Sequence, residues 1–372
     1  MKIEKILTDY FDIGTLNKIK KNNRGYVNIS YEIETLLNNK INKYLLRIYK
    51  QDILEKDIIF EHSLLKELSK KKFYFSSFPI KTKNDNTYVI IDGKYLSIFK
   101  YLYGQDKYTW INPLCNKTEL QESAKILALY HNAVWGWKNT QKKAQLDKAI
   151  ILKQLFAKWK DYYQISKNSC FEDCFKEYFK VLATSLVELS NFFEQINIEN
   201  LPIIAIHGDY HPGNLKFSES KIVGVFDFDW ARIDFRSIDV ALAIFYFCVS
   251  WESHNNGNLL IDKMNDFLSS YQKTALENRN IKKLTDLEIS ILPNLILFCN
   301  ILIMDWMIDE FFTAKTDSIE YLNYLKHCIH LIQWFKKNLD IKFFGKASFS
   351  LAREGQTLCS TSRNKFKRSI YE

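Results

Sequence analysis

The first chemical signal in the chain comes from three side chains, Asp209, Asn214 and Asp227. Asn214 lies 5 residues and Asp227 lies 18 residues beyond Asp209. Such a set suits phosphoryl transfer to a hydroxyl. One carboxylate accepts or orients the hydroxyl proton, while the amide and the second carboxylate hold Mg²⁺ against nucleotide phosphates. Mg²⁺ is a hard cation that takes oxygen ligands and often draws only one or two from the protein.

Two apolar runs must position these groups. Ile203–Ile206 and Ile222–Phe226 are rich in β-branched residues and stop at polar residues, as short buried strands do. The first run delivers Asp209 and Asn214, and the second delivers Asp227. Asp, Asn and Gly also gather in strand-end turns for conformational reasons alone, and either motif by itself would bear that reading. Two motifs in this order, each behind an apolar strand, favour a site.

The stretch HGDYHPGN (207–214) resembles the catalytic loop of the aminoglycoside phosphotransferase/choline kinase-like family, distant relatives of protein kinases. FDFDWAR (226–232), followed by Asp239, resembles that family's metal-binding segment. The resemblance is similar in order of elements to the homoserine-kinase-like branch and covers roughly residues 20–340. It implies an α+β, bilobal protein-kinase-like fold, with a small β-sheet N-lobe and a mainly helical C-lobe around ATP and Mg²⁺. Asp209 would be the catalytic base, and Asn214 and Asp227 the metal ligands. His207 would brace the loop and Asp239 would anchor the segment after it. The strand Tyr44–Ile48 is similar to the one that carries a phosphate-contacting lysine in protein kinases, and here Arg47 holds that place. Arginine can clamp phosphates bidentately but is no simple exchange for lysine, and Lys43 or Lys50 are alternative contributors. By the same resemblance Glu61 pairs with the strand cation. A solvent-facing Glu on an amphipathic helix is the competing reading.

The implied lobes are residues 1–104, a nucleotide-covering lobe, and 105–345, a helical lobe holding the site. The basic, Ser- and Thr-rich 346–372 reads as a flexible tail. Arg24-Gly25-Tyr26-Val27-Asn28 falls where a phosphate-covering loop belongs, but its single glycine makes it a turn by itself. Leu102-Tyr103-Gly104 would be the hinge. A helix is expected over 1–20, and two or three antiparallel strands over 21–50. The helix at Ile58–Lys71 has Phe60, Leu64, Leu65 and Leu68 as its buried stripe. A hairpin should turn at Asp92-Gly93. Helices follow at Thr118–Val134, with Thr118 and Gln121 as a capping box, and at Lys142–Tyr163, Phe171–Ile196 and Ile238–Trp251. Gly257–Arg279, Asp286–Phe312 and Tyr321–Leu339 complete the set. His131 reads as structural.

Bulk properties exclude several classes. The chain has 372 residues, is 47% hydrophobic and 26% charged, and carries a net charge of +9, which is globular rather than disordered. Such an excess suits an anionic partner such as ATP. Nucleic-acid binding would need a concentrated basic patch. Seven cysteines, an odd number at irregular spacing, argue against a disulfide framework, and Cys170 with Cys174 lack a second zinc-like pair. Ile291–Ile308 is the sole candidate membrane span, interrupted by Pro293, Asn294, Asn300 and Asp305, so a buried helix explains it better. The expectation is a cytoplasmic protein without nucleic-acid or membrane partner.

A small-molecule hydroxyl is the expected acceptor, with a small amino alcohol or hydroxy amino acid first, homoserine among them. Asp229 and Asp234 could meet an ammonium group, but read better as surface loop residues. An aminoglycoside phosphotransferase, or a nucleotide-binding scaffold of the same family without turnover, are the alternatives.

Overall fold

Extended segments between Thr15 and Lys100 pair into a sheet, in which successive side chains face opposite sides. The computed structural model describes residues 2–22, 28–110, 114–138, 147–196, 198–252, 254, 256–278, 280–314, 319–338, 342–343 and 347–348. After helix α1 (Ile3–Tyr10) come strands β1 (Thr15–Asn22), β2 (Ile29–Leu37) and β3 (Lys40–Ile48), helix α2 (Glu55–Lys70), and strands β4 (Val89–Ile91) and β5 (Lys94–Lys100). They form one antiparallel sheet in the order β1-β2-β3-β5-β4. The β4–β5 hairpin turns at Asp92-Gly93, both at positive φ as a tight primed turn requires.

The remaining chain is mainly helical: α3 (Lys117–Val134), α4 (Lys148–Tyr163), α5 (Cys170–Gln195), then strands β6 (Ile203–Ile206), β7 (Leu215–Ser218), β8 (Lys221–Val225) and β9 (Arg232–Phe235), then α6 (Arg236–Cys248), α7 (Ile261–Glu277), α8 (Asp286–Ala314) and α9 (Ile319–Lys337). Short strands β10 (Lys342–Phe343) and β11 (Ala347–Ser348) pair with each other. The rest of 346–372, and Arg24 to Val27 of the expected phosphate loop, lie outside the described residues. So do 139–146, which hold the start of the helix expected from Lys142.

Two apolar clusters hold the parts. Ile6 and Leu7 of the first helix, with Phe11 just after it, pack with Ile33, Leu46, Leu96 and Ile98 beneath the sheet. The second, larger cluster runs through the helical part and also takes in Phe60, Leu64, Leu65 and Leu68. The stripe of α2 is therefore buried as expected, but against the helical lobe, with the Phe60 ring 5.8 Å from that of Trp137. The small sheet thus has a core of its own, and α2 ties it to the larger body.

Several expectations need correction. The first helix ends at Tyr10, and 15–22 is an edge strand whose polar sequence hides its pairing with β2. Gly14 separates the two at φ +91°, where a Cβ would lie 2.3 Å from the Leu36 carbonyl oxygen. The third helix begins one residue earlier than its expected capping box. Asn116 is the N-cap and exchanges hydrogen bonds with Glu119 in place of the Thr118–Gln121 pair. Among the described residues the cysteines are free thiols. One helix is long and apolar enough to cross a membrane, Asp286–Thr313, and 78% of its apolar window is buried within the protein.

Candidate active site

Chain reversal explains how residues distant in sequence meet. The β7–β8 hairpin sits inside the β6–β9 pair. Asn214 therefore stands just before the inner hairpin and Asp227 just after it, and the Phe226 amide donates to the Asn214 carbonyl at 3.1 Å. Asp209 follows β6, and Ile206 lies across from Arg232. This nested arrangement packs on the third helix: the Tyr130 hydroxyl donates to the Ala205 carbonyl, and the Tyr210 hydroxyl to that of Ser123.

The loop itself is wired through Asp239. One oxygen accepts from the His207 amide at 2.7 Å and the other from the Gly208 amide at 2.8 Å, while His131 lies 3.2 Å from the first. Burial by itself would raise the Asp239 carboxyl, but the His131 hydrogen bond and the charges of His131 and His207 hold it below the ordinary range. His131 also meets the Tyr271 hydroxyl at 2.7 Å, which makes it a buried structural bridge. The His207 ring accepts from the Asp209 amide through Nδ1 and donates through Nε2 to the Phe226 carbonyl, so it links the loop to the segment of Asp227. Burial depresses its pKa and keeps it neutral. Gly208 is at φ +76°, and a Cβ there would sit 2.3 Å from the Trp230 carbonyl oxygen. Only glycine satisfies both conditions.

Asp209 faces the cleft between the lobes. The Asn214 amide nitrogen donates to its side chain at 2.8 Å and to its carbonyl at 3.0 Å. The His211 Nε2 lies 3.4 Å from the same carboxylate, with its Nδ1 held by the Gly213 amide. Burial pushes the Asp209 carboxyl up, but His211, His207 and the Asn214 amide outweigh it and keep the group ionised. With its nitrogen committed to Asp209, Asn214 has its amide oxygen left for a cation.

Across the cleft, Asp227 is at φ +66°, a sparsely populated conformation for a non-glycine residue. Arg47 lies nearby, 6% exposed. Its Nη1 donates to Glu61 at 3.1 Å and to Asp229 at 2.7 Å, and its Nη2 lies 3.4 Å from Asp227. Burial opposes the Arg47 charge, but the three carboxylates outweigh it and raise its pKa well above normal. Glu61, 4% exposed, also accepts from the Tyr49 hydroxyl at 2.9 Å. Glu61 is thus paired and not solvent-facing. Lys43 and Lys50 instead pair at the surface with Glu34 and Asp52 and do not line the cleft.

The set fits a divalent cation. Burial, then repulsion from Asp229, raises the Asp227 carboxyl to about 7 despite Arg47. Among the described residues its buried Oδ1 has no hydrogen-bond partner. A cation at Asp227 and Asn214 would relieve both conditions. Above these residues the cleft, about 1240 Å³, has an apolar floor and roof that include Leu45, Phe99, Leu102 and Phe226. There Gln105 exchanges backbone hydrogen bonds with Phe217 and links the two lobes.

The structure thus gathers Asp209, Asn214, Asp227, Arg47 and Glu61 at one cleft, with His207 and Asp239 behind it. Two contributors went unread in the sequence. His211 lies inside the quoted loop, yet its role as a neighbour of Asp209 depends on the 3-10 turn at 212–214. Tyr49, two residues beyond Arg47, reaches Glu61 only across the sheet–helix junction. Asp229 and Asp234 are not the surface loop residues expected. Asp229 pairs with Arg47 and also accepts from the Asn28 amide, and Asp234 is 2% exposed on β9.

Fold and site together define a protein-kinase-like phosphotransferase. The sequence model of the phosphotransferase enzyme family (APH) matches residues 18–272, more than half of the chain, and the chain belongs to that family. It is a small-molecule kinase in class. It is 26% identical to the homoserine kinase of Sinorhizobium fredii (strain NBRC 101917 / NGR234) over 328 residues, which cover 85% of this chain and 88% of that protein. Among solved structures it is similar to a microcompartment-associated aminopropanol kinase, with a TM-score of 0.65, 17% identity and coverage of 94% and 99% of the two chains. The amicoumacin kinase hAmiN, solved with AMP-PNP, Ca²⁺ and Ami, gives a TM-score of 0.62 at 17% identity, over 85% and 87% of the chains.

Proposed function

We propose that this protein transfers the γ-phosphoryl group of ATP to the hydroxyl of a small metabolite, with a hydroxy amino acid or amino alcohol of the homoserine type as acceptor. One observation carries the reading. An ionised Asp209, locked by Asn214, faces the same cleft as Asp227 and the Arg47–Glu61 pair. The similarity to a homoserine kinase over most of both chains, and the fold shared with an aminopropanol kinase, support the acceptor class.

Asn214 and Asp227 would hold Mg²⁺, which when bound would supply charge neutralisation on the phosphate oxygens of the ATP substrate. Arg47, oriented by Glu61 and Asp229, offers its guanidinium to the phosphates. Asp209 accepts a hydrogen bond from the acceptor hydroxyl and aims its oxygen at the phosphorus. Because its pKa is held low, Asp209 takes the proton late, and its main contribution is orientation, as a loose transition state requires. The lobes join at Gly104, whose φ of +131° and contacts to Val223 and Lys216 exclude a side chain.

The test is ADP release across homoserine, choline, hydroxylysine, methylthioribose and aminoglycosides. Turnover with one acceptor should fall about 10²–10⁴-fold in Asp209→Asn, with nucleotide affinity retained. Turnover undiminished by Asp209→Asn refutes the mechanism. Nucleotide binding without acceptor-dependent ADP release would favour the scaffold or an acceptor outside this panel.

A further inference from the structure

The same cleft contains a buried charge cluster that phosphoryl transfer does not use. Lys148, at the start of α4, and Arg232, on β9, converge on Asp234. The Lys148 ammonium lies 2.5 Å from one carboxylate oxygen, and Arg232 Nε lies 3.1 Å from the other. Lys148 is 5% exposed and Asp234 only 2%. Asp234 also accepts from the Phe235 amide, so its hydrogen-bonding capacity is largely spent. Asp234 thus fixes the Arg232 guanidinium at Nε, and the outer edge of that guanidinium borders the cleft, where an anionic group can meet it.

Its position selects which anion. Arg232 Nη1 lies 3.0 Å from the point where a Cβ on Gly208 would stand, one residue before Asp209. That nitrogen donates weakly to the Trp230 carbonyl at 3.4 Å, and Nη2 makes no hydrogen bond to any described residue. Asp234, Lys148 and Arg232 line the cleft beside Tyr246, Cys299 and Trp306 of the helical lobe. Arg47, by contrast, approaches from the small sheet. The cluster therefore lies on the acceptor side of Asp209. A planar guanidinium fixed at Nε presents its outer edge to a planar carboxylate better than an ammonium could.

We propose that Arg232, fixed by Asp234 and flanked by Lys148, binds a carboxylate of the acceptor, so that the enzyme selects hydroxy amino acids over amino alcohols. This rests on the small-molecule kinase reading and narrows its acceptor. L-homoserine and 3-amino-1-propanol differ only by the carboxylate and form a matched pair. Calorimetric titration of both into the full-length protein with AMP-PNP and Mg²⁺ should give about tenfold or greater preference for homoserine, as charge-assisted hydrogen bonds provide. Arg232→Gln should abolish the preference while AMP-PNP binding persists. If that variant does not fold, Lys148→Gln should reduce the preference in the same direction. Equal affinity for the two ligands, or no homoserine binding, overturns the assignment. Equal weakening of both ligands in Arg232→Gln also overturns it, since the arginine would then serve the phosphoryl group. Acceptor-dependent ADP release with 3-amino-1-propanol but not homoserine sinks the carboxylate subsite and leaves the kinase reading intact. Failure of ADP release with every acceptor sinks the kinase reading itself.

Discussion

Asp239 shows how much depends on one buried side chain behind the site. It takes hydrogen bonds from two consecutive loop amides and meets His131, without solvent to replace any of them. Asp239→Ala should lower stability by about 3–5 kcal/mol, the usual effect of breaking a buried charged network, measurable as a shift of the urea midpoint. A loss below 1 kcal/mol would mean that the loop is held by other contacts. Two histidines predict acid sensitivity. Burial, then the Arg47 charge, lowers His62 to about 3, and burial, then His330, lowers His327 to about 3. Both stay neutral in the folded protein while the unfolded chain takes up protons below about 6.5. Stability is therefore unaffected above that pH and falls as the pH drops from 6.5 toward 3. At pH 5 each histidine should remove about 2 kcal/mol relative to pH 7. Denaturant titrations at the two pH values, repeated with His327→Gln, check this; the variant should lose less stability between pH 7 and pH 5 than the parent protein.

At the scale of elements, α2 is the unusual part. It carries Glu61 to Arg47 of β3, yet its apolar stripe belongs to the core of the helical lobe. The ion pair is thus placed by packing on the opposite lobe. Leu64→Ala should cost about 2–5 kcal/mol, as large-to-small changes in a filled core do. It should also weaken ATP use, because a displaced helix withdraws Glu61. A stability loss with an unchanged KM for ATP would show that the pair holds its geometry without the helix. The nested β6–β9 strands are the other decisive element. They bring Asp209, Asn214 and Asp227 together through two short reversals.

For the whole molecule, the apolar helix α8 is the packing centre of the helical lobe. Ile296, Met304, Met307 and Ile308 of that helix are buried in the large core. In flotation with anionic or neutral vesicles the protein should stay in the aqueous fraction; recovery with the vesicles would show that the helix can leave the core. The larger body therefore combines the site, the docking surface for α2 and most of the apolar burial, while the small sheet closes over it with its own cluster.

Local chemistry made part of this legible in the sequence. Asp209, Asn214 and Asp227 could be read because each follows or precedes a short apolar strand at fixed spacing, and because their atoms suit hard-cation and proton chemistry. The stripe of α2 and the Asp92-Gly93 turn were legible for the same reason, since periodicity and backbone preference act over a few residues. Residues 15–22 misread as helix because an edge strand can be polar on both faces and draws its pairing from a partner chain segment. What the tertiary structure alone decided was pairing across distance. Asp229 and Asp234 look like ordinary loop acids until β3 brings Arg47 to one, and α4 and β9 bring Lys148 and Arg232 to the other. Burial then turns these charges into binding chemistry, because a low-dielectric surrounding makes each unmatched charge seek a partner.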